Sequence, residues 1–296
     1  MLEHATMYIF VLQGGATELT ALCDKFINTP SSGANPVDAQ PFSVPLVLLT
    51  CVDIKHGYSA HPVDTTHGYM TERDMGFFVP IVFTDQNGAT SNANLLPYLF
   101  VDNFPAVLIG REIFGFPKIL GDIRFEAHPK YAYFDLVSSA LPNYGSDRIV
   151  VQRPIVVIRQ TGSGAVTPVP IVSTSTLVQI TGALMTMLAT ALSLPASLFG
   201  GFDKVSMVFL KQFRDAAQAG LACHQSIVKA QSQVTKIRAL RLHGNDTFEI
   251  NIRRLDSISI ADTLGLGAGT IYNPLATISA DLDFELPLGS EEWIAP

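Results

Sequence analysis

The chain has 296 residues, a formal net charge of −7, 48% hydrophobic and only 15% charged residues, against roughly 25% charged in an average soluble domain. That composition excludes a disordered chain, which needs low hydropathy and high charge, and a nucleic-acid binder, which needs a clustered basic face. Cys23, Cys51 and Cys223 lie far apart with no CxxC pair, which argues against a disulfide framework or a structural zinc and for a reducing, cytoplasmic setting.

Glu3 and His4 stand where a secretory leader would carry basic residues, so no signal peptide is expected. Runs rich in Val, Ile, Phe and Tyr predict strands over residues 7–12, 44–52, 76–83, 95–100, 131–137, 149–160, 204–213, 234–242 and 248–258. The last begins Phe248-Glu249-Ile250-Asn251-Ile252, the alternation of a strand with one buried face. Turn clusters such as Gly14-Gly15 and Asp85-Gln86-Asn87-Gly88 separate the runs. Leu19, Leu22, Cys23 and Phe26 recur at helical spacing and predict a short helix over 16–26. A second helix is predicted over 102–113, carrying Val107 and Leu108 and stopping before Gly115 and Pro117. With no repeat and no long linker, the regular strand spacing predicts one α+β domain over 1–296, predominantly β.

One stretch stands apart. No charged residue occurs between Arg159 and Asp203, and the centre, 177–194, reaches the ~18 residues at which a membrane span must be weighed. Gln179, Thr181, Gly182, Thr186, Thr190 and Ser193 recur on one side and Leu177, Ile180, Leu184, Met187, Leu188 and Ala191 on the other. Neither a Lys/Arg flank nor an aromatic belt marks the ends. The expectation is an apolar helical insertion at about 165–203, not a membrane span. Its second face is small and uncharged, which suits packing against another subunit, so a homo-oligomer is expected.

The chemistry points to one lysine. Lys118 follows Gly115-Phe116-Pro117 among Ile113, Phe114, Phe116, Ile119 and Leu120. Burial of an amine in apolar surroundings disfavours its ammonium form, and only the neutral amine attacks a ketone to form a Schiff base. On spacing alone, a lysine whose stem packs at a turn while its head reaches water fits as well.

The same segment resembles the acetoacetate decarboxylase family. It carries Asp102-Asn103-x-Pro105-Ala106, Gly110-Arg111-Glu112, Phe116-Pro117-Lys118 and Leu120-Gly121. Weaker similarity covers Phe77-Phe78-Val79-Pro80 and Met207-Val208-Phe209-Leu210-Lys211. Acetoacetate decarboxylase is the standing example of a lysine activated by desolvation or a neighbouring cation. The resemblance implies a curved or closed antiparallel sheet with a few peripheral helices, Lys118 as Schiff-base nucleophile, a small-molecule keto substrate and no cofactor. It places Phe114, Phe116, Arg111 and Glu112 beside the substrate, the adjacent charges holding backbone or each other. Decarboxylation, retro-aldol cleavage and aldol condensation with dehydration all draw on the same electron sink.

Three positions depart from the family pattern. Ile119 stands where the decarboxylases carry a second lysine, which leaves burial to activate the amine. Gln13 takes, by position, the place of an arginine on the first strand, and a neutral amide cannot clamp a carboxylate bidentately. The family's glutamate, six residues before the proline of its Val-Pro strand, corresponds to Asp74 without a gap, or to Glu72 with a two-residue insertion. Either could serve as the acid/base.

Two other readings compete with the lyase. A non-catalytic small-molecule binder of the same fold would keep the pocket and lose the reaction. A metal-dependent enzyme would use His56, His61 and His67 with Asp53 and Asp64, although Gly57, Pro62 and Gly68 interrupt that segment and a solvated loop fits better. Gly265-Leu266-Gly267-Ala268-Gly269 lacks the Lys-Ser/Thr of a phosphate loop, and no GxSxG elbow is present. Cys223 and His224 are sequence neighbours, which point apart and do not form a dyad.

Overall fold

The computed structural model describes residues 1–33, 35–128, 131–162, 166–168, 204–243 and 248–295. Its centre is a sheet closed into a ring. β1 (Leu2–Gln13) lies antiparallel between β3 (Leu46–Gly57) and β15 (Ala276–Glu285). β3 continues to β4 (Met70–Thr84) and β4 to β5 (Thr90–Val101). On the other side β15 leads to β12 (Ala222–His243) and β12 to β11 (Lys204–Arg214). The ring closes where β11 runs parallel to β5, at Met207↔Asn94 and Val208↔Leu95. Further along the same edge of β5, β6 (Lys118–Leu120) takes over, also parallel. The expected closed sheet is present, with two parallel joints in an otherwise antiparallel ring. β2 (Asp38–Pro41) pairs with β4, and β10 (Val166–Pro168) and β16 (Ser290–Ile294) pair with β12.

β7 (Asp122–His128), β8 (Tyr131–Ala140), β9 (Val151–Gln160), β13 (Phe248–Ile252) and β14 (Ile271–Tyr272) form a second, antiparallel sheet against the ring's outer face. Side chains alternate along each ring strand. On β1, Phe10 and Leu12 turn to the second sheet, where Phe10 meets Phe248 and Phe134 at ring-centroid distances of 5.1 and 6.1 Å. Ala5 and Val11 turn to the ring interior with Val52, Ile54, Leu240, Ile278 and Leu282. Burial on both faces accounts for the nearly unbroken apolar run Leu46-Val47-Leu48-Leu49 in β3.

The two expected helices are present, each beginning as an α-helix and ending in a π-type turn. α1 (Ala16–Cys23) widens into a π-type turn over Asp24–Asn28. α2 (Phe104–Ile109) starts at Asn103, whose Oδ1 accepts the Ala106 N–H at 3.2 Å, and widens over Gly110–Phe114. A last short helix, α3, spans Ile260–Thr263. The strand expected over 248–258 stops at Ile252, because Leu255 and Ile258 close a tight bridge instead. The strand expected over 234–242 is the second half of the 22-residue β12. The helix expected over 177–194 lies outside the described residues. Among the described residues, no helix is long and apolar enough to cross a membrane.

Candidate active site

Pairing in the ring brings the lysine to two carboxylates. Lys118 on β6 pairs with Leu99 on β5, and Leu99 pairs with Gly76 on β4. Directly paired side chains share a face, and Glu72, Asp74 and Gly76 alternate onto that same face. It is the interior face, lined here by Leu99, Val101, Phe114, Phe116 and Phe209. Lys118 Nζ donates a charge-assisted hydrogen bond to Glu72 Oε1, and the two side chains are only 10% and 7% exposed. The amine also lies 5.8 Å from the centroid of the Phe116 ring.

Asp74 completes the group. Its Oδ1 is shut off from solvent and has no hydrogen-bond partner among the described residues. Burial holds its carboxyl well above the usual carboxylate range; the charge of Glu72 pushes the same way, and the charge of Lys118 opposes both. The arrangement is therefore an ion pair beside a carboxyl whose ionisation is disfavoured by burial and by Glu72. Asp102, at the end of β5, is also raised, chiefly by burial. Its Oδ1 accepts the backbone N–H of Arg73 at 2.7 Å, which fixes β4 between Glu72 and Asp74.

Local sequence explains how the lysine is aimed. Its stem runs beneath Gly110, where a Cβ would lie 2.7 Å from Lys118 Cδ. Gly115 ends the π-type turn at φ +80°, and a Cβ there would lie 2.9 Å from the Cα of Lys211. Phe116 N–H then donates to Gly110 O at 3.1 Å and Lys118 N–H to Phe116 O at 2.8 Å, a tight turn about Pro117 that launches β6. Arg111 Nη1 donates to Lys118 O at 3.2 Å.

The other sequence candidates divide. Phe114 and Phe116 are both buried; Phe116 lies against the amine and packs on Phe114 and on Phe209, at ring-centroid distances of 5.2 and 4.4 Å. Arg111 holds the backbone of the lysine from an exposed position, and Glu112 is exposed. Both Glu72 and Asp74 reach the site, since positions two apart on a strand share a face. Gln13 does not. Met7 pairs with Val52 and Val52 with Asp74, and Gln13 lies six residues further along β1, about 20 Å at roughly 3.3 Å per residue. It donates instead to Pro45 O at 2.9 Å. The interior position of β1 level with Glu72 is Ala5, one residue before the Thr6↔Asp53 pair and opposite Ile54. Gly110 and Asp102 are functional positions that only the Gly-Arg-Glu and Asp-Asn motifs signal in the sequence.

The histidine loop does not gather around one point. His61 and His67 each face Asp64, at 3.9 and 3.7 Å, while the His56 ring packs at a tilt against Tyr69 with centroids 4.3 Å apart. Cys223 Sγ lies 3.5 Å from two backbone carbonyls, and His224 Nε2 lies 3.1 Å from Ser226 Oγ. All three cysteines are free thiols, and burial pushes Cys23 up to about 12.

Residues 45–141 match the acetoacetate decarboxylase family model. No curated protein matches the sequence. Solved structures do match the fold. Acetoacetate decarboxylase from Legionella pneumophila superposes with a TM-score of 0.60 at 14% identity, over 100% of this chain and 86% of that one. A second acetoacetate decarboxylase gives 0.54 at 12% identity, over 97% and 88%. The enduracididine biosynthesis enzyme MppR, complexed with pyruvate, gives 0.57 at 10% identity, over 97% and 88%.

Proposed function

Starting from a chain that is acetoacetate decarboxylase-like in fold and carries that family's sequence pattern over residues 45–141, we propose a lyase that works through a Schiff base on Lys118. The observation that carries the reading is a lysine amine paired with Glu72 in an apolar ring interior, on the same strand face as a carboxyl whose ionisation burial disfavours.

The chemistry follows from those three groups. Transfer of the ammonium proton to Glu72 frees the amine to attack a ketone carbon. Loss of water from the carbinolamine gives a protonated imine, an electron sink two atoms from the bond to be broken. Cleavage of a carbon–carbon or carbon–hydrogen bond leaves its electron pair as an enamine. The proton of Asp74 can then be delivered to the enamine carbon, and Glu72 can shuttle protons to and from the nitrogen. Hydrolysis of the new imine returns free Lys118. No step calls for a cofactor.

The substrate class is a ketone or keto acid more apolar than a short keto acid. Phe116 lies against the amine, Leu99, Val101 and Phe209 belong to the same apolar cluster, and Ala5 offers no charge on the β1 position level with Glu72. MppR was solved with pyruvate and with the condensation product of pyruvate and imidazole 4-carboxaldehyde, so the fold accommodates aldol-type as well as decarboxylation chemistry. The same proposal takes the protein to be cytoplasmic and homo-oligomeric, as its thiols and the uncharged stretch between Arg159 and Asp203 suggest.

Borohydride reduction in the presence of a panel of ketones and keto acids tests the proposal. The expected result is a covalent adduct of one ketone per chain, mapped by peptide mass spectrometry to Lys118 and absent from Lys118→Ala. Saturable ligand binding with no adduct would instead identify a non-catalytic binder. An adduct at Lys211 and none at Lys118 would overturn the nucleophile assignment.

A further inference from the structure

We propose that Glu3, His4 and His56 form a binding site for a divalent transition metal of the Zn²⁺ or Ni²⁺ class, on the outer face of the ring and separate from Lys118. One ligand atom from each of the three residues lies within 4.8 Å of the other two. Two imidazoles and a carboxylate are a nitrogen/oxygen donor set that suits these borderline ions. Metal–ligand bonds of about 2.0–2.1 Å put tetrahedral ligands roughly 3.4 Å apart, so closing the set needs only modest side-chain rotation.

The backbone gathers these side chains against the ordinary rule. Neighbours on a strand point to opposite faces, yet Leu2 and Ala5, three apart, both pack in the ring interior. Glu3 and His4 between them both turn outward. His4 absorbs the slip with φ +52°, in the left-handed region that costs a residue with a side chain, at the point where the β1–β15 register shifts. On β3 the register with β4 shifts between Ile54 and Gly57, and His56 falls in that shift. Glu3 and His56 are direct cross-strand partners, and the His4 and His56 rings meet edge to face with centroids 5.2 Å apart.

Surrounding groups orient the set as second partners orient metal ligands. Tyr58 Oη donates to Glu3 Oε1 at 2.9 Å. Asp283 Oδ1 accepts the backbone N–H of His4 at 2.7 Å and so holds the bulge in place. Tyr69 packs at a tilt against the His56 ring. An open surface pocket of about 240 Å³ lined by His56, Tyr58, Thr65, Gly68 and Tyr69 shares His56 with the group. It leaves the His56 side of the group open to water. Backbone held in a strained conformation to converge three donors is characteristic of a functional constraint.

Titration of the full chain without an affinity tag, by calorimetry with ZnCl₂ and NiCl₂ and by native mass spectrometry, tests the site. The expected result is one metal ion per chain. His4→Ala, His56→Ala and the shape-conserving Glu3→Gln should each weaken binding at least about tenfold, with the circular dichroism spectrum unchanged. His61→Ala and His67→Ala should bind as the wild type does. No stoichiometric binding below about 100 µM metal, or binding that survives His4→Ala combined with His56→Ala, would overturn the proposal.

Discussion

Lys118 and Glu72 meet across a strand that belongs to neither. β5 lies between β6 and β4, so the two backbones are about 10 Å apart, and the lysine stem crosses above Leu99 to reach the carboxylate. The ion pair thus ties three strands together over an apolar surface. Both ends gave up solvent to form it, and neither tolerates the loss of the other.

Removal of one end should therefore be costlier than removal of both. Lys118→Met leaves Glu72 buried without its partner, which typically costs about 3–5 kcal/mol. Lys118→Met combined with Glu72→Gln should recover most of that loss while remaining inactive. Urea denaturation of the three proteins measures the difference. A single variant as stable as the wild type would show that the pair is not desolvated.

Stability should fall as pH rises through the titration of Asp74. Its carboxyl is raised in the folded state by burial and by Glu72. Folding therefore benefits fully from this group below its unfolded value of 3.8, and that benefit is lost as pH climbs through the folded value. Asp74→Asn does not titrate. Its stability relative to the wild type should increase with pH by about 1.4 kcal/mol per pH unit across that window. A difference independent of pH would count against a proton-bearing Asp74. Turnover of Asp74→Asn should fall about 10²-fold or more if the group delivers the proton.

Gly110→Ala should disable the site with little effect on the rest of the fold. The new methyl meets Lys118 Cδ at 2.7 Å, and the flexible stem must move away from Glu72. The expected cost is about 1–3 kcal/mol, together with loss of borohydride trapping. Gly115→Ala should cost more, because the residue sits at φ +80° and its Cβ would press on the backbone of Lys211. Calorimetric melting temperatures would rank the two.

Gln13→Arg should leave the KM for keto acids within about twofold, since a guanidinium some 20 Å along the strand cannot reach a carboxylate at Lys118. Steady-state kinetics with a charged and an uncharged ketone would decide. A selective improvement for the charged substrate would mean that the substrate extends much further along the ring than the three groups at Lys118.

The contrast between Lys118 and Gln13 explains what the sequence could reveal. Lys118 sits in a motif whose parts touch one another: Gly110, Gly115 and Pro117 act within eight residues of it. Local chemistry was therefore readable, and the choice between Glu72 and Asp74 stayed open because both share the right strand face. Gln13 has the interior parity but the wrong register, and register depends on pairing with β3, which no local pattern encodes. β15 lacks a strand signature for another reason. Its interior positions are filled by Ala276 and Ala280 as well as Ile278 and Leu282, and Asp281 and Asp283 alternate with them. Small residues and carboxylates hide a strand that sits between β12 and a β1 more than 200 residues away in sequence.

The short parallel joint between β5 and β11 gives the ring a seam. Among the described residues it is held by Met207↔Asn94 and Val208↔Leu95, with Asn94 Nδ2 donating to Ser206 O at 3.2 Å. Parallel ladders are slightly weaker per residue than antiparallel ones, and local opening follows the least-supported contacts. Amide protons of β5 and β11 at this joint should exchange with solvent sooner than those of β1, which is paired along most of its length on both sides. Parting of the seam uncovers the interior face beside Leu96, Leu99 and Phe209. The protein thereby has a way to breathe toward its own nucleophile without unfolding the strand that carries it.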